Sequence, residues 1–238
     1  RDALRGGGPG DRGRDKVARQ GWLNGLGYAP NAETAGDDPA AARAALLHAA
    51  DLVRAGLAGT LRDYVLPTAD GRREPLHALD YNGQPAGYAA APGEVVNYVE
   101  NHDNETLYDL NAYRLPQSTS SADRARVQVL GMATTALSQG VAYFHAGIDT
   151  LRSKSMDRNS YDSGDWFNRL DWTYRDTFFG TGLPPADDNA KDWPLFKPLL
   201  ANAALKPAPA DIAFARDAFR DLLQIRARTT LLRLRTSD

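Results

Sequence analysis

At 238 residues, with 42% hydrophobic and 24% charged side chains, the chain has the length and balance of one large folded domain or two small ones, which excludes a disordered or collagen-like polymer. Its 28 basic and 30 acidic residues leave a net charge of −2, no electrostatic footprint for a nucleic-acid partner or an anionic membrane surface. With no cysteine there is no disulfide, thiolate nucleophile or cysteine zinc site, and His48, His77, His102 and His145 are too scattered to suggest a metal, so no cofactor is expected. No apolar run is long enough to span a membrane and no leader opens the chain; because it starts at Arg1 and its methionines are Met132 and Met156, a processed or internal segment of a longer product is expected.

Leucine far outnumbers isoleucine and valine together, which argues for a helix-rich fold. Residues 1–37, with Gly6-Gly7-Gly8-Pro9-Gly10, read as an irregular surface segment; Gly8 to Gly13 spells G-x-G-x-x-G by chance, since no strand precedes it. Asp38-Pro39 predicts a capped helix that stops near Gly56 or Gly59, with Leu46, Leu47, Val53 and Leu57 buried. A short strand is expected at 63–66, loop over 67–94, and a buried strand at Val95 to Val99. Ser120 to Asp123 reads as a cap for a helix ending at Gly140, followed at once by a strand at Val141 to Phe144. Strand, helix and strand at that spacing form a βαβ unit with parallel strands. Residues 149–194 form a long aromatic and polar stretch; loops of that length are usually functional or disordered, and the aromatic residues favour an ordered one. The last predicted helix, 210–228, carries Ile212, Ala215, Phe219, Leu222 and Leu223 near one face.

The densest polar cluster follows the 95–99 strand: Glu100, Asn101, His102, Asp103, Asn104, Glu105, Thr106. A carboxylate beside an imidazole and two amides suits a hydroxyl-rich ligand, and an aspartate there can stabilise a positively charged transition state. The alternative is a plain strand-to-helix turn in which Asp103 or Asn104 caps the next helix. Composition leaves both open.

The His102-Asp103-Asn104 sequence resembles the strand-seven motif of the α-amylase clan of glycoside hydrolases, and Leu151 to Asn168 resembles the long loop after strand eight in pullulanases and limit dextrinases. Asp80-Tyr81-Asn82-Gly83, Gly182-Leu183-Pro184-Pro185, Trp193-Pro194-Leu195 and the opening Arg1 to Gly7 are similar to that family as well, so the resemblance covers nearly the whole chain. It implies an α/β, helix-rich fold: the C-terminal portion of a (β/α)8 TIM barrel over 1–228, with strands seven and eight, flanking helices and long loops, and 229–238 leading toward a missing C-terminal β domain. The implied reaction is retaining hydrolysis of α-1,6-glucosidic branch linkages in an α-glucan such as pullulan, amylopectin or limit dextrins.

Carried over by that resemblance, Asp103 is the carboxylate that stabilises the transition state, and His102 donates a hydrogen bond to the same sugar. Arg158 and Asp187 bind the next glucose unit. Asn159, Tyr161, Asp162 and Trp166 are further substrate-binding candidates, the last three weighed behind a role in pinning their loop. At Asn159 the family often has Asp, so a role that needs charge does not transfer. The family's nucleophile and acid/base carboxylates have no match: no Arg-x-Asp follows an apolar strand, and no Glu closing a strand is found, Glu94 preceding its own. The chain alone is therefore expected to be inactive. Two other readings stay open, another α-glucan hydrolase of the clan and a noncatalytic carbohydrate-binding module.

Overall fold

Asp38 turns the chain into its first long helix: its carboxylate accepts from the backbone N–H groups of Ala40 and Ala41, each at 3.2 Å, and Pro39 presets the first helical φ. The computed structural model describes residues 1–8 and 10–237, so Pro9 of the glycine-rich run and Asp238 lie outside the described residues. Nine α-helices are described: α1 (Asp2–Arg5), α2 (Arg14–Ala18), α3 (Pro39–Leu57), α4 (Leu107–Arg114), α5 (Ser121–Ala136), α6 (Gly164–Asn168), α7 (Ala186–Asn189), α8 (Trp193–Leu200) and α9 (Pro209–Arg228). Six short strands accompany them: β1 (Val65–Pro67), β2 (Arg73–Pro75), β3 (Asp80–Tyr81), β4 (Gln84–Pro85), β5 (Val96–Asn97) and β6 (Val141–Ala142).

The strands pair only in twos. β1 with β2 and β3 with β4 are antiparallel; β5 with β6 is parallel, Val96 opposite Val141 and Asn97 opposite Ala142. The expected portion of a (β/α)8 barrel is not what forms: the chain is 44% helical, and among the described residues there are small separate sheets and no closed barrel. The helix-rich part of the expectation agrees with this, as does the parallel pairing across α5. The apolar runs 95–99 and 141–144 do place strands, but a ladder grows only where a neighbour lies alongside, and here Val96 and Val141 are 56% and 51% exposed.

Helix packing supplies most of the cohesion. α5 is capped by Ser120, whose hydroxyl accepts from Asp123 N at 3.1 Å, and it lies against α9. Ile212 and Ala215 of α9 are fully buried, Phe219 and Leu222 partly so, and Leu223 points outward, which narrows the predicted apolar face. Phe144, just past β6, meets Phe219 edge-on at 4.8 Å. Near the end of α9, Arg226 donates to the carbonyls of Ala136, Ser138 and Gly140 at 2.8, 2.7 and 2.6 Å, closing the C-terminus of α5 where its last carbonyls lack helical partners. Gly140 follows with φ +85, and a side chain there would press on Pro92 O and Val95 O at 2.8 Å.

Two expectations are corrected by burial. In α3 the buried residues are Ala49, Asp51 and Ala55, whereas Leu46, Val53 and Leu57 are partly covered and Leu47 is exposed. Small side chains let this helix sit close, leaving its larger ones at the margin. Residues 1–37 are irregular as expected but not peripheral: Leu23, Lys16, Gln20, Asn24 and Asn31 are all buried. Polar side chains hold the segment in place. Arg114 of α4 donates to the carbonyls of Lys16, Arg5 and Gly6, and its own carbonyl accepts from Gln20 and Asn31. Buried groups satisfied in this way leave no apolar periodicity to read.

Candidate functional site

Just past β5, Val99 and Glu100 are both buried, and the residues after them turn outward before α4 begins. Thr106 is the cap of α4, its hydroxyl accepting from Asp109 N at 3.1 Å. The capping alternative for Asp103 and Asn104 is thereby removed. One oxygen of Glu100 accepts from Leu107 N at 2.7 Å, so the turn is tied at its base from within. Asn104 takes φ +63, a left-handed conformation that asparagine tolerates. On this turn the side chains of His102 and Asp103 are 75% and 60% exposed, with Nε2 and Oδ1 3.6 Å apart. A carboxylate and an imidazole stand side by side, facing solvent on a rigid base.

Beneath them lies the 151–157 stretch, buried at every residue. Its anchor is Asp109 of α4, which accepts from Ser153 Oγ, Lys154 N and Met156 N, allowing Ser155 and Met156 to hold φ of 52 and 63. Lys154 Nζ donates to His102 O at 3.2 Å, joining this stretch to the turn above it. Burial lowers the Lys154 ammonium pKa from its ordinary value. Burial also pushes the Asp109 carboxyl up to about 6, against the three donors that favour its charge. A raised folded-state pKa means that the native state holds the proton more tightly, so this group's stabilising contribution is complete below about pH 4 and is lost as pH rises through about 6. Two units correspond to about 3 kcal/mol. Wild type should therefore lose stability relative to Asp109→Asn over that window, measured by urea unfolding at a series of pH values; a flat difference would refute the assignment.

Arg158 N donates to Asn189 Oδ1 at 3.1 Å, and Asn189 Nδ2 donates to Asp157 Oδ1 at 3.0 Å and to Pro185 O at 2.9 Å. Asn159 Nδ2 donates to Asp188 Oδ2 at 3.1 Å. These bonds pin α7, with exposed Asp187, against the part of the loop that carries Arg158. Arg158 also shares a small cavity with Asn104, Glu105 and the Gly6–Gly8 backbone. The structure thus gathers the His102–Asn104 turn, Arg158 and Asn159, and α7 with Asp187. Tyr161 and Asp162 stand apart, exposed on a single 3-10 turn. Trp166 is half exposed, donates from Nε1 to Thr181 O at 3.0 Å and stacks with Arg169 at 3.9 Å, a packing that shapes its loop.

Several charged residues below the surface escape sequence reading. Lys16 of α2 pairs with Glu105 and lies 3.6 Å from Asp192, all three buried. Glu100 lies beyond β5, which ends at Asn97, so no Glu closes that strand; Glu100 is 1% exposed and its second oxygen meets His145 Nδ1 at 2.6 Å. Position directly after an apolar run was the available signal for it. Among the described residues no cluster of three His, Asp or Glu side chains could hold a metal ion, and no helix is long and apolar enough to cross a membrane.

Residues 174–238 match the family model described as alpha-1,6-glucosidases, pullulanase-type, C-terminal. The chain is 41% identical over 238 residues to pullulanase 1, chloroplastic, of Arabidopsis thaliana, covering 100% of this chain and 24% of that protein. It is 40% identical over 234 residues to the pullulanase of Klebsiella aerogenes, covering 98% of this chain and 21% of the relative. An apo pullulanase from Klebsiella pneumoniae superimposes with a TM-score of 0.90 at 40% identity, over 98% of this chain and 24% of that one. Along its whole length the chain is similar to pullulanases. It spans about a quarter of the length of the curated pullulanases it matches. A Klebsiella pneumoniae pullulanase complexed with maltotriose also superimposes with a TM-score of 0.90, over 98% of this chain and 22% of that one. Likeness to the pullulanases therefore extends well upstream of residue 174, across the 99–106 turn and the 151–168 loop.

Proposed function

We propose that this chain supplies one wall of the substrate site of a retaining α-1,6-glucosidase acting on branch linkages in pullulan, amylopectin or limit dextrins. The observation that carries the reading is the exposed Asp103 and His102 pair on a turn secured from below, with no capping duty for either residue. In this role the Asp103 carboxylate holds hydroxyls of the sugar being cleaved and favours its oxocarbenium-like transition state, while His102 donates to the same ring. Arg158 and Asp187 contact the neighbouring glucose and Asn159 contributes at its margin, whereas Tyr161 and Asp162 stand apart from it and Trp166 shapes its loop. The maltotriose bound by the Klebsiella relative is a ligand of the expected class.

Retaining hydrolysis also needs a nucleophile and an acid/base carboxyl about 5 to 5.5 Å apart. Glu100, the Glu at the base of the turn, is buried with both oxygens engaged and cannot serve. The 238-residue chain by itself should release no sugar from pullulan, measured by reducing ends; turnover by the chain alone would refute this part of the reading. In the protein encoded by the complete reading frame, Arg158→Ala should raise KM for pullulan about tenfold or more, the cost of losing a hydrogen bond from a charged group. An unchanged KM would remove Arg158 from the sugar site.

A further inference from the structure

Glu100, His145 and Arg152 form a buried hydrogen-bonded chain that the proposed sugar chemistry does not use. The Glu100 and His145 side chains are 1% and 11% exposed, and Arg152 is buried. Glu100 closes the 101–106 turn through Leu107 N with one oxygen and meets His145 Nδ1 with the other. His145 Nε2 faces Arg152 Nη1 at 3.3 Å. The same guanidinium donates to Ala146 O at 3.2 Å and to Asn168 O at 2.9 Å. Asn168 in turn donates to the carbonyls of Ser160 and Gly164 at 2.7 and 2.9 Å. One continuous path therefore runs from the base of the His102–Asp103 turn to the loop that follows Arg158.

A guanidinium has donors and no acceptor, so Nε2 of His145 must be the bare, accepting nitrogen. The ring proton is then on Nδ1, donated to the Glu100 carboxylate. A second proton would set an N–H against the N–H of a cation. The charged groups facing the ring are Glu100 from the β5 side and Arg152 from its own loop. Behind them lie Asp109 of α4, which acts on the Arg152 charge, and Lys154, which acts on both.

We propose that His145, as the neutral Nδ1–H tautomer, is a positioning residue that couples the His102–Asp103 turn to the Arg158 loop and keeps the two in register for a bound glucan. The benefit to sugar binding rests on the proposed function; the tautomer and the coupling do not. Glutamine can replace the ring, its amide N–H donating to Glu100 and its oxygen accepting from Arg152. Leucine can do neither.

The test uses the 15N-labelled 238-residue chain and its His145→Gln and His145→Leu variants, with folding checked by circular dichroism. In wild type near neutral pH the imidazole spectrum should show a protonated Nδ1 and a bare Nε2. His145→Leu should move the backbone amide signals of residues 101–106 and 160–168 together, and His145→Gln should return both toward wild type. Maltotriose affinity should fall about tenfold in His145→Leu and stay within about threefold in His145→Gln. A proton on Nε2, a cationic ring at neutral pH, or a folded leucine variant with one or both loops unmoved would overturn the proposal. If His145→Leu does not fold, the wild-type tautomer and the glutamine variant decide it. Failure of wild type to bind maltotriose would count against the proposed sugar site, with the tautomer and loop coupling still deciding the role of His145.

Discussion

Replacing Lys16 with methionine should destabilise the fold by about 3–5 kcal/mol, because it removes the cation from a buried cluster and leaves its two carboxylates behind. The Lys16 side chain is 5% exposed, Glu105 8% and Asp192 3%. Burial by itself pushes the Glu105 carboxyl up, yet the charge and hydrogen bond of Lys16 overcome that and hold it below the usual carboxylate range. Without the ammonium, Glu105 must take up a proton or remain charged while buried, with only weaker influences such as that of Arg114 to offset the lost solvation, and both are costly. Asp192 keeps its bond from Gly13 N at 2.9 Å, so most of the loss falls on Glu105. The Tyr113 and Phe196 rings, 5.8 and 5.6 Å from Nζ, lose a cation neighbour as well. Urea unfolding followed by far-ultraviolet circular dichroism measures the effect. Adding Glu105→Gln to the methionine variant should recover part of the loss, since a neutral amide needs no counter-charge. A Lys16→Met protein within about 1 kcal/mol of wild type would contradict the account.

Asp103→Asn should cut turnover of pullulan roughly 100- to 1,000-fold in the protein made from the complete reading frame, with the folded state barely disturbed. Its carboxylate is 60% exposed and its near neighbour is His102 at 3.6 Å, so little native packing depends on it. Exposed substitutions of this kind ordinarily stay within about 0.5 kcal/mol. The amide keeps shape and hydrogen bonding but loses the charge that would stabilise an oxocarbenium-like sugar. Because that charge develops only toward the transition state, the loss belongs in kcat, with KM changed less. Near-normal kcat in a folded Asn variant would take Asp103 out of the role proposed for it. A parallel fall in stability would instead make it a structural residue.

Local rules carried far in this chain. Asp38-Pro39 and Ser120 capped α3 and α5 as read, because a side-chain oxygen two or three residues from an unpaired N–H satisfies it whatever surrounds the helix. The parallel pairing of β5 and β6 across α5 also followed from spacing. The His102–Asp103 turn was legible as a polar cluster after an apolar run. Its rigidity was not, because Glu100, Thr106 and Lys154 act on it through bonds invisible in their order along the chain. Residues 1–37 were misread as surface because Gln20, Asn24 and Asn31 are buried by satisfying backbone groups, and a polar residue so placed looks like any exposed one. The barrel expectation failed at another step: an apolar run marks a strand, while the extent of a sheet depends on strands that lie beside it.

By itself, the sequence determined where the long helices start, which two strands lie side by side, and which residues resemble those of the pullulanase-type family. These depend on neighbours a few residues apart or on a motif, and both are written in order along the chain. Only the tertiary structure decided that the strands form small separate pairs, that Glu100 is buried while Asp103 is presented, and that His145 links two loops. Those outcomes turn on burial and on hydrogen bonds between residues 45 or more positions apart, or seven apart across a folded loop, where the free energy of a charged group is set by what packs around it.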